Sequence, residues 1–187
     1  GLPFGIDLSL PLVIYKIYFE LGLRVVFEEV FIKRLFPNEG SGLDLLFLTQ
    51  TYHPDGVTVK TSDDNTYVNG IRTTGVYATY NTVGVLLRKI IYAYHPNGVT
   101  VRTSTDDTYV SGVRTKRIFK ELEITGVLLS YLTQNFHPDA VTVKTSDDNY
   151  YVNGDGVRTN CTFNVYDTAG VILSQRIKTY HPNGVTV

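Results

Sequence analysis

The 187-residue chain contains no Met, no Trp and a single Cys. With Cys161 alone there is no internal disulfide framework, and a small unpaired thiol reads as a structural residue rather than a redox centre. Met is missing even at position 1, where Gly1 stands, so a processed mature form or a fragment is expected. Charged residues make up only 19% of the chain and the formal net charge is −1. Without a basic run, nothing draws it to nucleic acid or to an anionic membrane. No stretch of ~18 uninterrupted apolar residues occurs, so no membrane insertion is expected. A glycine-rich phosphate loop, a nucleophile elbow and a pair of catalytic carboxylates are all missing, so no enzyme is expected and no catalytic or cofactor-binding residue is assigned.

What the chain does have is repetition. His53-Pro54-Asp55-Gly56-Val57-Thr58-Val59 returns at His95 to Val101, at His137 to Val143 and at His181 to Val187, with spacings of 42, 42 and 44 residues. A fixed period of this size signals a repeat architecture. Downstream, Thr61 to Thr73 matches Thr103 to Thr115 and Thr145 to Thr159, the last with Asp155-Gly156 inserted. An Asp-Gly insertion belongs in a turn, so the flanking strands should keep their register. Gly42, Gly84, Gly126 and Gly170 hold the period upstream, each opening an apolar run. Units therefore start at about 42, 84, 126 and 170 and form a tandem array over 42–187. Residues 1–41 fit poorly and read as an atypical capping or docking segment, with an echo of the turn at Arg34 to Gly40.

The repeat should be all-β. Pro followed by Asp/Asn-Gly presets turn geometry, and the runs between turns are rich in Val, Ile, Thr, Tyr and Phe. Three turns per unit are expected: the His-Pro-Asp/Asn-Gly loop, the cluster Asp63-Asp64-Asn65 and its counterparts, and Asn69-Gly70. Ala140 replaces the loop glycine in the third unit and should be strained. The run Val85 to Ile91 should be a central strand, and the opening segment should form two strands turning near Glu20 to Gly22. Matching columns (Val57/Val99/Val141/Val185, Val59/Val101/Val143/Val187, Tyr52/Tyr94/Phe136/Tyr180 and Tyr67/Tyr109/Tyr151) suggest units stacked like on like around a continuous ridge. The expected fold is an elongated array or β-solenoid-like sheet of short antiparallel strands. A β-propeller of four-stranded blades is the alternative, since ~42 residues suit one blade.

The only four histidines, His53, His95, His137 and His181, occupy one position of each unit. One imidazole per repeat does not gather the roughly four ligands zinc wants at one point, so a repeat-turn role is expected and no metal site is assigned. Asp63-Asp64-Asn65, Asp106-Asp107 and Asp147-Asp148-Asn149 offer oxygen ligands suited to Ca²⁺, but without the glycine and terminal Glu of an EF-hand loop. The columns Lys60/Arg102/Lys144 and Arg72/Arg114/Arg158 recur in step with these acids and point to cross-strand charge pairs. Asn160-Cys161-Thr162 has the form of an N-glycosylation acceptor.

Tyr166-Asp167-Thr168-Ala169-Gly170-Val171-Ile172-Leu173, followed by Tyr180-His181-Pro182-Asn183-Gly184, resembles the YD repeats of Rhs-type and teneurin-like proteins. At the equivalent of Tyr166-Asp167 the other units carry Tyr80-Asn81 and Leu122-Glu123. The resemblance implies successive β-hairpins of a spiralling sheet in an extracellular shell or surface fibre. The expected function is accordingly structural: an extracellular or cell-surface protein that polymerises with itself head-to-tail. Its last unit would offer Val185, Thr186 and Val187 as an open edge, and the segment carrying Ile14, Ile17 and Phe19 would complement it. The alternative is a glycan-binding adhesion module using repeated Tyr, Asn and Asp side chains.

Overall fold

The structure, a computed structural model, describes residues 12–20, 24–34, 44–152, 157–185 and 187. The described residues form twelve strands: β1 (Leu12–Glu20), β2 (Arg24–Arg34), β3 (Asp44–Tyr52), β4 (Val59–Val68), β5 (Ile71–Tyr80), β6 (Leu86–Tyr94), β7 (Val101–Val110), β8 (Val113–Leu122), β9 (Leu128–Phe136), β10 (Val143–Tyr151), β11 (Arg158–Tyr166) and β12 (Ile172–Thr179). They form one sheet in chain order, and each strand runs antiparallel to the next. Only neighbours in that order touch, so nothing among the described residues lies over either face. The fold is an elongated single-layer array. It does not divide into blades, which removes the propeller alternative.

Each unit contributes three strands, β3–β5, β6–β8 and β9–β11, and the odd number has a geometric consequence. In an antiparallel meander a shift of three strands reverses strand direction, and a rotation that reverses direction while advancing along the sheet also exchanges its faces. The register shows this directly. From Asn65, cross-strand partners lead through Gly75, Tyr92, Ser104, Lys120 and Tyr131 to Asn149. Asn65 and Asn149 therefore share a face. Asp107, the equivalent residue of the unit between them, lies three positions from Ser104 and points to the opposite face.

The expected like-on-like ridge is overturned for this reason. Equivalent Tyr52, Tyr94, Phe136 and Tyr180 alternate between faces, and Val57, Val99, Val141 and Val185 sit in loops, 75–80% exposed. Interior burial is sparse. Among the described residues only Ala78, Ile90 and Cys161 are buried apolar residues, beside buried Asp107, Ser146 and Asn149. Stability must come from the ladders and from cross-strand pairs worth ~0.2–1 kcal/mol each. Phe47 and Tyr67 meet edge-on at 5.3 Å, and Arg88 of β6 forms a 2.6 Å ion pair with Asp106 of β7.

The Asp-rich clusters are not turns. Asp63–Asn65, Asp106–Asp107 and Asp147–Asn149 lie within β4, β7 and β10, paired on both sides. Strand alternation separates neighbouring carboxylates, and side chains two residues apart bond each other: Asn65 donates to Asp63 at 3.0 Å, and Asn149 to Asp147 at 3.1 Å. The second turn is Asn69-Gly70, with Ser111-Gly112 as its counterpart. Both residues of each pair have positive φ (53° and 78°; 51° and 80°), the backbone of a tight two-residue hairpin. The Asp155-Gly156 insertion lies outside the described residues. The register around it is kept, since Tyr151 faces Arg158 as Tyr67 faces Arg72 and Tyr109 faces Arg114.

Ala140 adopts φ 60°, the left-handed conformation its glycine counterparts take without strain. β6 is an interior strand containing buried Ile90. β1 and β2 pair antiparallel from Leu12↔Ile32 to Glu20↔Arg24, as the two-strand reading expects. Their connection at 21–23, the echo beyond Arg34 and Gly42 lie outside the described residues. No helix among the described residues is long and apolar enough to cross a membrane.

Candidate functional site

The histidines stand at the starts of the long loops. His53 N donates to Thr58 O at 2.8 Å, and Gly56 N to His53 O at 2.9 Å, closing the Pro-Asp turn; the His95 and His137 loops repeat this. His53 Nε2 lies 3.1 Å from the Tyr80 carbonyl, His95 Nε2 3.0 Å from that of Leu122, and His137 Nε2 3.2 Å from that of Tyr166. Each imidazole thus links one loop to the end of the strand entering the next loop on the same rim. His181 opens the fourth loop and is exposed. No group of three or more His, Cys, Asp or Glu among the described residues is placed to hold a metal ion.

Inside the loop Asp55 acts as a cap. Its Oδ2 accepts from Thr58 Oγ1 at 2.5 Å, and its Oδ1 accepts from the Val57 and Thr58 amides at 3.0 and 2.9 Å. These bonds, the Thr58 hydroxyl first, hold its carboxyl below the ordinary 3.8, and Asp139 is lowered in the same way. Asn97 does the same work without a charge.

Among the described residues, the edge strands of the sheet are β1 and β12. Ile14, Ile17 and Phe19 lie on β1, facing Val30, Phe27 and Val25 of β2 in the register. Val185 and Val187 lie beyond β12, exposed and outside any strand, and Thr186 falls outside the described residues. The strand at the C-terminal rim is therefore β12, a feature the sequence reading placed one loop too late. Leu173 and Ile177 on β12 are each 65% exposed, whereas their interior counterparts on β6, Leu87 and Ile91, are 41% and 38% exposed.

One cluster recurs in all three complete units; the sequence showed its Arg, aromatic and Asp/Asn columns but not that they meet. In the first, Arg72 donates to Asn65 Oδ1 through Nε (2.9 Å) and a terminal nitrogen (2.7 Å) and stacks on the Tyr94 ring at 4.5 Å. Gly75 faces Asn65 across the strands, and a Cβ there would come within 3.0 Å of Asn65 Oδ1 and 3.5 Å of the Tyr94 hydroxyl. Burial beneath this cover pushes the Tyr94 phenol up.

In the second, Asp107 and Arg117 take the places of Asn65 and Gly75. They form two bonds of 2.8 Å, with Arg114 3.9 Å from the same carboxylate and 4.1 Å from the Phe136 ring centre. In the third, Asn149 faces Cys161, Arg158 stacks on Tyr180 at 4.0 Å, and the Tyr180 hydroxyl lies 3.5 Å from Cys161 Sγ. That contact raises the Tyr180 phenol. In this unit the cluster opens into a depression of about 350 Å³, lined by Asp147, Asn149, Arg158, Cys161, Phe163, Arg176, Lys178 and Tyr180.

No family model matches the chain, and no curated protein matches it.

Proposed function

We propose that the chain is a structural, self-assembling repeat protein of an extracellular fibre, filament, sheath or surface shell, joined head-to-tail by β-strand complementation. The observation that carries this reading is the three-strand cycle. β3, β6, β9 and β12 hold the first place in the cycle, and β4, β7 and β10 the second. Counting back from β3, β1 also falls in second place, the place that follows β12. Adding β1 of one copy to β12 of another therefore continues the cycle, antiparallel and without exchanging faces.

The apolar side chains of Leu173 and Ile177 would gain the cover that interior strands give Leu87 and Ile91. Ile14, Ile17 and Phe19 on β1 are the complementing residues, and Val185 and Val187 flank the rim. The contact joins two different surfaces, the kind of contact that builds an open filament when successive copies do not close into a ring.

Twelve strands at ~4.8 Å give an advance of roughly 58 Å per copy. Electron microscopy and size exclusion at high concentration test the reading. Filaments with this axial repeat are expected, whereas compact monomers alone would refute it.

A further inference from the structure

Comparison of the three clusters points to a ligand site in the third. In the second unit the cluster supplies its own anion: the Asp107 carboxylate is gripped by Arg117, with Arg114 close by. The third unit reverses each element of that arrangement. Asn149, a neutral amide, stands where the carboxylate was, and Cys161 stands where Arg117 was, leaving a hollow instead of a plug.

Two new cations then enter from the adjoining strand. Arg176 and Lys178 occupy the positions that Leu132 and Gln134 hold beside the second unit's cluster, and Ile90 and Tyr92 beside the first unit's. With Arg158 they put three positive charges around the depression, against one negative charge from Asp147. Arg158 is engaged with Asn149 Oδ1 at 3.3 Å, but Arg176 and Lys178 have no hydrogen-bond or ion-pair partner among the described residues.

We propose that this depression binds a small oxyanion, the phosphate, sulfate or carboxylate group of a ligand, between Arg158, Arg176 and Lys178. The bound group takes the part that Asp107 plays internally one unit earlier. Charge-assisted bonds from Arg and Lys supply the affinity. Phe163, in the lining and 38% exposed, offers an apolar surface for whatever carries the anion.

The test is an NMR titration of the full chain with inorganic phosphate, sulfate and acetate in turn, against chloride at matched ionic strength. Saturable shifts are expected at Arg158, Cys161 and Tyr180, and none at Arg114, Arg117 and Phe136. The anion that binds most tightly identifies the ligand group. Replacing both unpaired cations, Arg176→Gln with Lys178→Gln, should weaken binding by about tenfold or more, the loss of one to two charge-assisted bonds. Asn149→Asp with Cys161→Arg, which rebuilds the second unit's internal pair, should abolish it.

Circular dichroism checks that both variants remain folded. Shifts that fail to saturate with all three anions would overturn the proposal. So would equal affinity in the folded Arg176→Gln/Lys178→Gln variant.

Discussion

The second and third units share a three-strand order and the pairing of equivalent residues across it, yet one carries a closed ion pair where the other carries a hollow. The difference starts at one cross-strand couple, Asp107 opposite Arg117 against Asn149 opposite Cys161 (Asn65 opposite Gly75 in the first unit), and extends to Arg176 and Lys178 on the adjoining strand. The cross-strand pairing is the same each time, and the chemistry on its face is decided by a few side chains. A single-layer sheet permits this, because no second layer must be repacked when a face changes.

The comparison breaks most severely at Asp107. It is 4% exposed, and removing it leaves Arg114 and Arg117 partly buried with no counter-charge. Asp107→Ala should cost about 2–4 kcal/mol in urea unfolding, toward the lower part of the range for breaking buried pairs because both arginines keep some solvent. Asn149→Ala, a neutral amide in the same place, should cost only about 1 kcal/mol. Equal losses would show that the two sites are energetically alike.

The loops give the next contrast. Gly98 has φ 67°, and a Cβ there would lie 2.9 Å from Ile71 Cγ2 and 3.0 Å from the Arg72 amide, so Gly98→Ala should cost about 1–2 kcal/mol. The third unit already carries that burden at Ala140, and Ala140→Gly should return about 0.5–1 kcal/mol in the same assay.

A smaller effect separates Asp64 from Asp106. Both occupy the same strand position, but Asp106 has Arg88, whereas Asp64 faces Leu48 and Val76 and leaves Oδ1 buried and unbonded. Burial, then the neighbouring Asp63, raises the Asp64 carboxyl. A raised folded-state value means the charged form is disfavoured, so this group opposes folding as pH rises through it. Asp64→Asn should therefore be neutral or stabilising by up to about 0.5 kcal/mol at pH 7, and Asp106→Asn destabilising by about 0.5–1 kcal/mol. Thermal melts of the two variants check the sign.

The smallest effect is local. The lowered carboxyls of Asp55 and Asp139 favour the folded loops above the ordinary 3.8, and that contribution is lost as pH falls through their lower folded values. Amide signals of Val57, Thr58, Val141 and Thr142 should titrate below 3.8, while those of Val99 and Thr100, capped by Asn97, should stay still.

The all-β repeat, its loops and the strain at Ala140 were legible because Pro, Gly and their neighbours restrict φ locally. The Asp-rich clusters were misplaced because carboxylates usually mark turns. Only the register reveals that Asp63, Asp106 and Asp147 are spaced by strand alternation and paired across strands. The alternating faces were missed for a different reason: identical columns invite stacking, and whether they stack depends on the number of strands per unit being odd or even. The Arg–aromatic clusters join residues about twenty positions apart, such as Arg72 and Tyr94, a relation no local pattern announces. Their trace in the sequence was the joint change at 65/75, 107/117 and 149/161.

Pulsed dipolar distances between spin labels at Lys60, Arg102 and Lys144, equivalent exposed positions of three units, test the odd-stranded, face-exchanging array most directly. At ~4.8 Å per strand and ~3.4 Å per residue, the 60–102 and 60–144 separations should be nearly equal, each roughly 28 Å. A 60–102 distance half the 60–144 distance would mean units stacked like on like, and would contradict the account.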